Sequence, residues 1–146
     1  MSARLRAALL RLGDGSHGGS TVSRWATNVL RGCESEHDPR TLQTLARING
    51  VSYTSLRETC YLVHIRPRDA RDFTRVLRAI VHAGASTLGL EQAIDVSDRR
   101  TLTALLRRAG LEPGRHDDDL LGQFFQRQSY IQASHPGVRL LAELLA

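Results

Sequence analysis

A chain of 146 residues, 41% hydrophobic and 5% aromatic, is long enough for an aliphatic core and too apolar to be disordered throughout. Its formal charge of +5 comes from twenty basic residues, all of them arginine, against fifteen acids. Two isolated cysteines with no C-x-x-C spacing and no clustered histidine exclude a disulfide scaffold and a zinc finger, and no apolar run reaches membrane-spanning length, so a reducing cytoplasm is the expected setting.

Met1 to Gly13 is arginine-rich and free of acids. That charge pattern is shared with transit peptides, but Leu5, Leu9 and Leu12 fall on one helical face and the segment reads as an amphipathic helix. Gly13 to Ser20 (GDGSHGGS) reads as a linker. From Thr21 the stripe Trp25, Ala26, Val29 and Leu30 predicts a helix ended by Gly32, followed by an acidic loop through Glu34, Glu36 and Asp38. Asp38-Pro39 predicts the next helix start, with Asp38 as N-cap, and Leu42, Leu45, Ala46 and Ile48 carry that helix to an Asn49-Gly50 stop. Ser52 caps a further helix with Leu56, Thr59, Cys60 and Val63 inward. Pro67 opens a long helix whose apolar positions are Ala70, Phe73, Val76, Leu77, Ile80 and Val81, supported by Asp72 and Arg75 at i,i+3 and ended at Gly84.

Two more helices are expected over Leu88 to Ile94 and Asp98 to Arg108, closed by Gly110 and Pro113. Asp117, Asp118 and Asp119 precede the apolar group Leu120, Leu121, Phe124 and Phe125, where acids favour a helix start. Leu140, Leu141, Leu144 and Leu145 make a last short helix. No segment alternates as a strand does, so the expected fold is all-α.

The charge is unevenly placed. Residues 1–39 hold five arginines and four acids, residues 40–108 hold twelve and six, and residues 109–146 hold three and five. A basic centre is what a phosphate backbone attracts, and arginine forks suit phosphate oxygens and guanine edges. The leading account of an all-arginine basic set is codon bias in a GC-rich genome, with which a nucleic-acid role is compatible.

Leu42 to Ser52 (LQTLARINGVS) is a helix, a tight glycine turn and a second capped helix, the pattern of a helix-turn-helix. Ala46 is small where two helices cross, Gly50 supplies the turn, Val51 and Leu56 are expected to pack inward, and the outward residues of the second helix are left for base edges. The plan recurs: Leu56, Cys60 and Pro67 are spaced four and then seven apart, and so are Leu102, Leu106 and Pro113, after Val51-Ser52 and Val96-Ser97 respectively. This is a degenerate repeat with a period of about 45 residues.

Through TLQTLARINGVSYTSLRETC, RPRDARDFTRVLRA and DVSDRRTLTALLRRAGLEP, the chain resembles the AraC/XylS family of bacterial transcription regulators over roughly residues 21–113. The resemblance implies a DNA-binding domain of two helix-turn-helix units joined by a long central helix; the helix and linker over residues 1–20 and the helical extension over residues 114–146 lie outside it, and the latter is unlike the family. It implies base contacts at Thr54, Arg57 and Glu58 in the first reading helix and at Arg99, Arg100, Thr101 and Thr103 in the second. Arg66 and Arg68 are candidates for phosphate contact or for helix capping. The partners so implied are double-stranded DNA and RNA polymerase, with no cofactor and no enzymatic activity. Cys60 stands where the family has a large apolar residue. Asp95 and His64 stand in place of turn glycines, Asp95 being tolerant of left-handed geometry, and Glu91 stands in place of a small residue.

Other constellations are weaker. Cys60 and His64, four apart on one helix, could suggest a thiol–imidazole pair, but they lack a third group to orient them and Cys60 reads as a buried structural cysteine. The Asp117–Asp119 run lacks the spacing of a calcium loop. The competing functional reading is a helix-turn-helix bundle that has lost DNA binding and docks a protein partner through its apolar tail, favoured by Glu58, Glu91, Asp95 and the acidic tail. The apolar tail has two expected uses: folding back onto Leu5, Leu9 and Leu12, or pairing with a second copy.

Overall fold

The computed structural model describes residues 3–13, 20–83, 89–96, 98–111 and 119–146. These residues form an all-α chain: α1 (Ala3–Gly13), α2 (Thr21–Glu34), α3 (Leu42–Ile48), α4 (Tyr53–Leu62), α5 (Pro67–Ala83), α6 (Gly89–Ala93), α7 (Arg99–Arg108), α8 (Leu120–Arg127) and α9 (Pro136–Leu145). The readings that rested on the inner linker, Gly84, Leu88, Ser97, Pro113, Asp117 and Asp118 lie outside the described residues.

Most helices begin where a side-chain oxygen takes up one of the free N–H groups of the first turn. Ser20, Thr41, Ser52, Asp98 and Asp119 accept in this way from Ser23, Thr44, Ser55, Arg100 and Gly122, at 2.9 to 3.1 Å. Thr41 therefore starts α3, which corrects the expectation that Asp38 would. Three helices end on a left-handed residue: Gly50 after α3, His64 after α4 and Gly110 after α7. His64 and Gly110 hold the same position in the two repeats, and each is followed by a reversed bond, Ile65 N–H to Cys60 O and Leu111 N–H to Leu106 O, both 3.0 Å.

α5 is the axis. Every residue from Asp72 to Ile80 is buried, because α2, α3, α4, α6, α7 and α8 all pack around it. The main core is a ring cluster, Trp25 on Phe73 (6.0 Å between centroids) and Phe73 on Phe124 (4.9 Å), surrounded by aliphatic side chains from α1, α2, α5, α6, α7 and α9. A second, small core holds Leu45, Ala46 and Leu56, with Leu42 against it. Glycine at position 32 does not end α2, which runs on to Glu34. A Cβ there would come 2.6 Å from Thr74 and 2.8 Å from Leu45, so Gly32 is the place where α2 approaches both neighbours.

The tail folds back. α9 packs on α1 and α2 with Val138, Leu141, Leu144 and Leu145 buried, and α8 packs on α5 through Phe124 and Phe125. Leu140, Leu120 and Leu121 are partly buried against the same core. The apolar positions available for pairing with a second copy are thus used within the chain. No helix among the described residues is long and apolar enough to cross a membrane.

Candidate nucleic-acid interface

Unit one is α3, its turn and α4. Leu45 and Ala46 face α4, Gly50 (φ +66°) turns the chain, and the Asn49 amide donates to Leu45 O (3.0 Å) and to Asn28 O (3.2 Å), tying the turn to α2. Leu56 and Cys60 then anchor the inner side of α4. Val51 does not pack inward as expected. It sits beside the turn, 37% exposed, because Gly50 has already rotated the chain outward.

The outer side of α4 carries Tyr53, Thr54, Arg57, Glu58, Tyr61 and Leu62, all exposed. Thr54, Arg57 and Glu58, three and four apart, share one face. The Arg57 guanidinium lies between two rings, 5.4 Å from the centre of Tyr53 and 5.7 Å from that of Tyr61, and donates to the Tyr61 hydroxyl at 3.1 Å. That hydrogen bond, helped by both rings, raises the pKa of Arg57 further and keeps it cationic. Of the large apolar side chains exposed among the described residues, Val51, Tyr53, Tyr61 and Leu62 lie on α4 or its turn, and Leu10 lies elsewhere.

Unit two is α6, its turn and α7. Arg99, Arg100 and Thr101 are exposed in the first turn of α7, and the Thr101 hydroxyl donates to the capping Asp98 carboxylate at 3.1 Å. Thr103 is half-buried and donates to Arg99 O at 2.9 Å, so it is the least available of the expected contacts. Arg100, Thr103 and Arg107 form one stripe. Arg108 has turned away to pair with Asp69 at 3.1 Å and to cover the Tyr130 ring at 4.5 Å. Asp95 is not left-handed, contrary to the expectation for a residue in a glycine's place. The turn is shaped from outside instead: its N–H donates to Asp38 Oδ2 at 2.7 Å and its carbonyl accepts from Arg75 Nη2 at 3.3 Å. Glu91 is exposed.

Arg66 and Arg68 flank Pro67 at the start of α5, both exposed and with no ion-pair partner among the described residues. No hydrogen bond or ion pair described joins the α4 set to the α7 set. Their connection runs through α5 and the loop before α3.

That connection is what the sequence reading missed. Arg75 was expected to pair with Asp72. In the structure Asp72 takes Arg71 (3.0 Å), while Arg75 forks onto Asp38, Nε to Oδ1 at 2.9 Å and Nη2 to Oδ2 at 2.8 Å. Burial opposes charge on Arg75, but the bonds and charge of Asp38 outweigh it and hold the pKa above its ordinary value. Burial lowers that of Arg78, with Asp38 and Cys33 partly offsetting. Tyr53 and Tyr61 were also passed over, although their spacing of four on either side of Arg57 was a readable signal.

Cys60 and His64 do not form a pair: His64 is exposed, and burial pushes the Cys60 thiol up to about 11. Cys33 is buried, donates to Thr74 O, and is likewise held protonated by burial. Among the described residues no group of acids, histidines and cysteines could hold a metal ion. No family model, curated protein or solved structure matches this chain.

Proposed function

We propose that the chain is a sequence-specific duplex-DNA-binding regulator of transcription that reads two stretches of major groove through α4 and α7. The observation that carries the reading is that each unit buries one side of its second helix and leaves the other side exposed with arginine, Arg57 in α4 and Arg99 and Arg100 in α7. The exposed cations Arg66 and Arg68 lie between the units in sequence and suit phosphates. The reading goes with a bacterial cytoplasm, with RNA polymerase as a partner, with no cofactor and with no catalysis.

One observation favours protein docking instead: Val51, Tyr53, Tyr61 and Leu62 make the exposed side of α4 partly apolar. Selection of the full chain against a random duplex pool separates the two. Enrichment of a two-part motif, with log K falling linearly as log salt rises, is expected of the DNA reader. Failure to enrich any motif, with affinity flat in salt, favours docking.

A further inference from the structure

We infer that Asp38, Arg75 and Arg78 form a clamp that fixes the separation of α4 from α7, and with it the spacing between the two DNA segments that the chain accepts. This rests on the DNA reading proposed above and assigns the residues that set its geometry.

Arg75 and Arg78 are one turn apart on the α5 axis, and each reaches both the loop ahead of unit one and the α6 end of unit two. Arg75 holds the Asp38 carboxylate ahead of α3 and the Asp95 carbonyl in the turn after α6. Arg78 donates to Ser35 O (2.9 Å) and Glu36 O (2.6 Å) ahead of α3, and to Ala93 O (2.9 Å) at the end of α6. Asp38 closes the ring by accepting from Asp95 N–H. Thus one carboxylate and two guanidinium groups bind the approach to unit one and the turn of unit two at the same points on one helix.

The side chains of Asp38 and Arg75 are 3% and 9% exposed, so removing either partner leaves the other charge buried without its ion pair, at a cost in stability. Apolar packing does only part of this task. Leu45, Ala46 and Leu56 of unit one sit in a core of their own, and of the buried residues of α4 only Cys60 enters the core that receives Leu90, Ile94, Leu105 and Leu106 of unit two. Apolar contacts slide where forked hydrogen bonds do not. Two helices entering successive turns of one groove must be held about 34 Å apart, so a ruler between them has a use.

The test has two arms. Spin labels on Thr54→Cys and Ala104→Cys, exposed positions on α4 and α7, report the separation directly, since Cys33 and Cys60 are buried. In the full chain with the clamp intact the distance distribution is expected to be narrow. Asp38→Ala should broaden it at least twofold while helicity is kept. Should that variant not fold, Asp38→Asn and Arg75→Lys, which keep the shape or the charge, carry the comparison. Equal widths in all folded variants would overturn the clamp.

In the second arm, unlabelled protein binds its selected site with one to three base pairs inserted between the halves. The expected loss is tenfold or more for the parent chain and under threefold for the clamp variant. A parent that selects no motif overturns the DNA reading and the spacing role with it, leaving the label distances to judge the clamp as geometry. A parent that is selective, with a clamp variant equally intolerant of insertion, overturns the inference alone.

Discussion

In unit one the turn is built from its own residues: Gly50 takes the left-handed conformation, Asn49 ties back to α2, Ser52 caps α4, and Leu45, Ala46 and Leu56 bury one another. In unit two the first helix is five residues long, its turn has no left-handed residue among those described, and Asp38, Arg75 and Arg78 hold the turn from distant parts of the chain. The far end of α7 is held from outside as well, by the Tyr130 hydroxyl on Leu105 O and by Ser129 N–H on Arg108 O at 2.7 Å. A repeat in sequence has thus become one unit supported locally and one supported at long range. The geometry of a helix-turn-helix does not require that its turn chemistry be local.

The strongest way to break the comparison is to remove residues 114–146. Unit two then loses the support of Tyr130 and Ser129 at the far end of α7, and the main core loses Phe124, Phe125, Val138, Leu141, Leu144 and Leu145. At about 1.5–3 kcal/mol for each buried side chain, the loss matches or exceeds the roughly 5–15 kcal/mol that a whole domain has in reserve. The truncated chain is expected to show no cooperative unfolding and to aggregate in size-exclusion runs. A folded, monomeric product would mean that the two units need no support from residues 114–146.

Next in size is the readout. Arg57→Ala is expected to cost about 1–3 kcal/mol of discrimination at one base pair and to relax the preference there. Arg99→Ala should cost less, because Tyr53 and Tyr61 pre-position Arg57 while no side chain described does this for Arg99. Binding measured on single-base variants of the selected site checks both. A larger loss from Arg99→Ala would reverse the ranking of the units.

The smallest effect concerns the left-handed positions. His64 pays about 1–2 kcal/mol for a conformation that Gly110 adopts freely at the equivalent place, against about 0.5–1 kcal/mol for the greater unfolded-state freedom of glycine. His64→Gly should therefore stabilise by about 0.5 kcal/mol. Gly50→Ala, where a Cβ meets nothing within 4 Å, should destabilise by about 1 kcal/mol through backbone strain alone. Urea titrations read both signs.

Apolar periodicity made the helices legible, since Trp25, Val29, Phe73, Leu77 and Leu106 recur at the helical period and all are buried. The exposed side of α4 followed from the same pattern, because residues outside the buried stripe must face solvent. What failed were the local rules. Gly32 resembles a stop signal, yet only the arrival of Thr74 and Leu45 from other helices reveals its purpose. Asp38 before proline resembles a cap, and Asp72 lies at the right distance from Arg75, yet a buried guanidinium chose the carboxylate that could be buried with it. Partners so far apart in sequence leave no periodic trace.

Trp25 is the only tryptophan, and its indole lies where three distant stretches of chain meet. It touches Phe73 of α5 and, at 6.2 Å, the His135 ring that starts α9, and a Cβ on Gly137 would come 2.7 Å from it. Its fluorescence is therefore a built-in gauge of whether α9 is seated, readable in unlabelled protein as a shift of emission to longer wavelength when the helix lifts. Unit one is dark to that signal: Leu45, Ala46 and Leu56 emit nothing, and a ligand stacked on Tyr53 or Tyr61 would quench tyrosine emission while leaving the indole as it was.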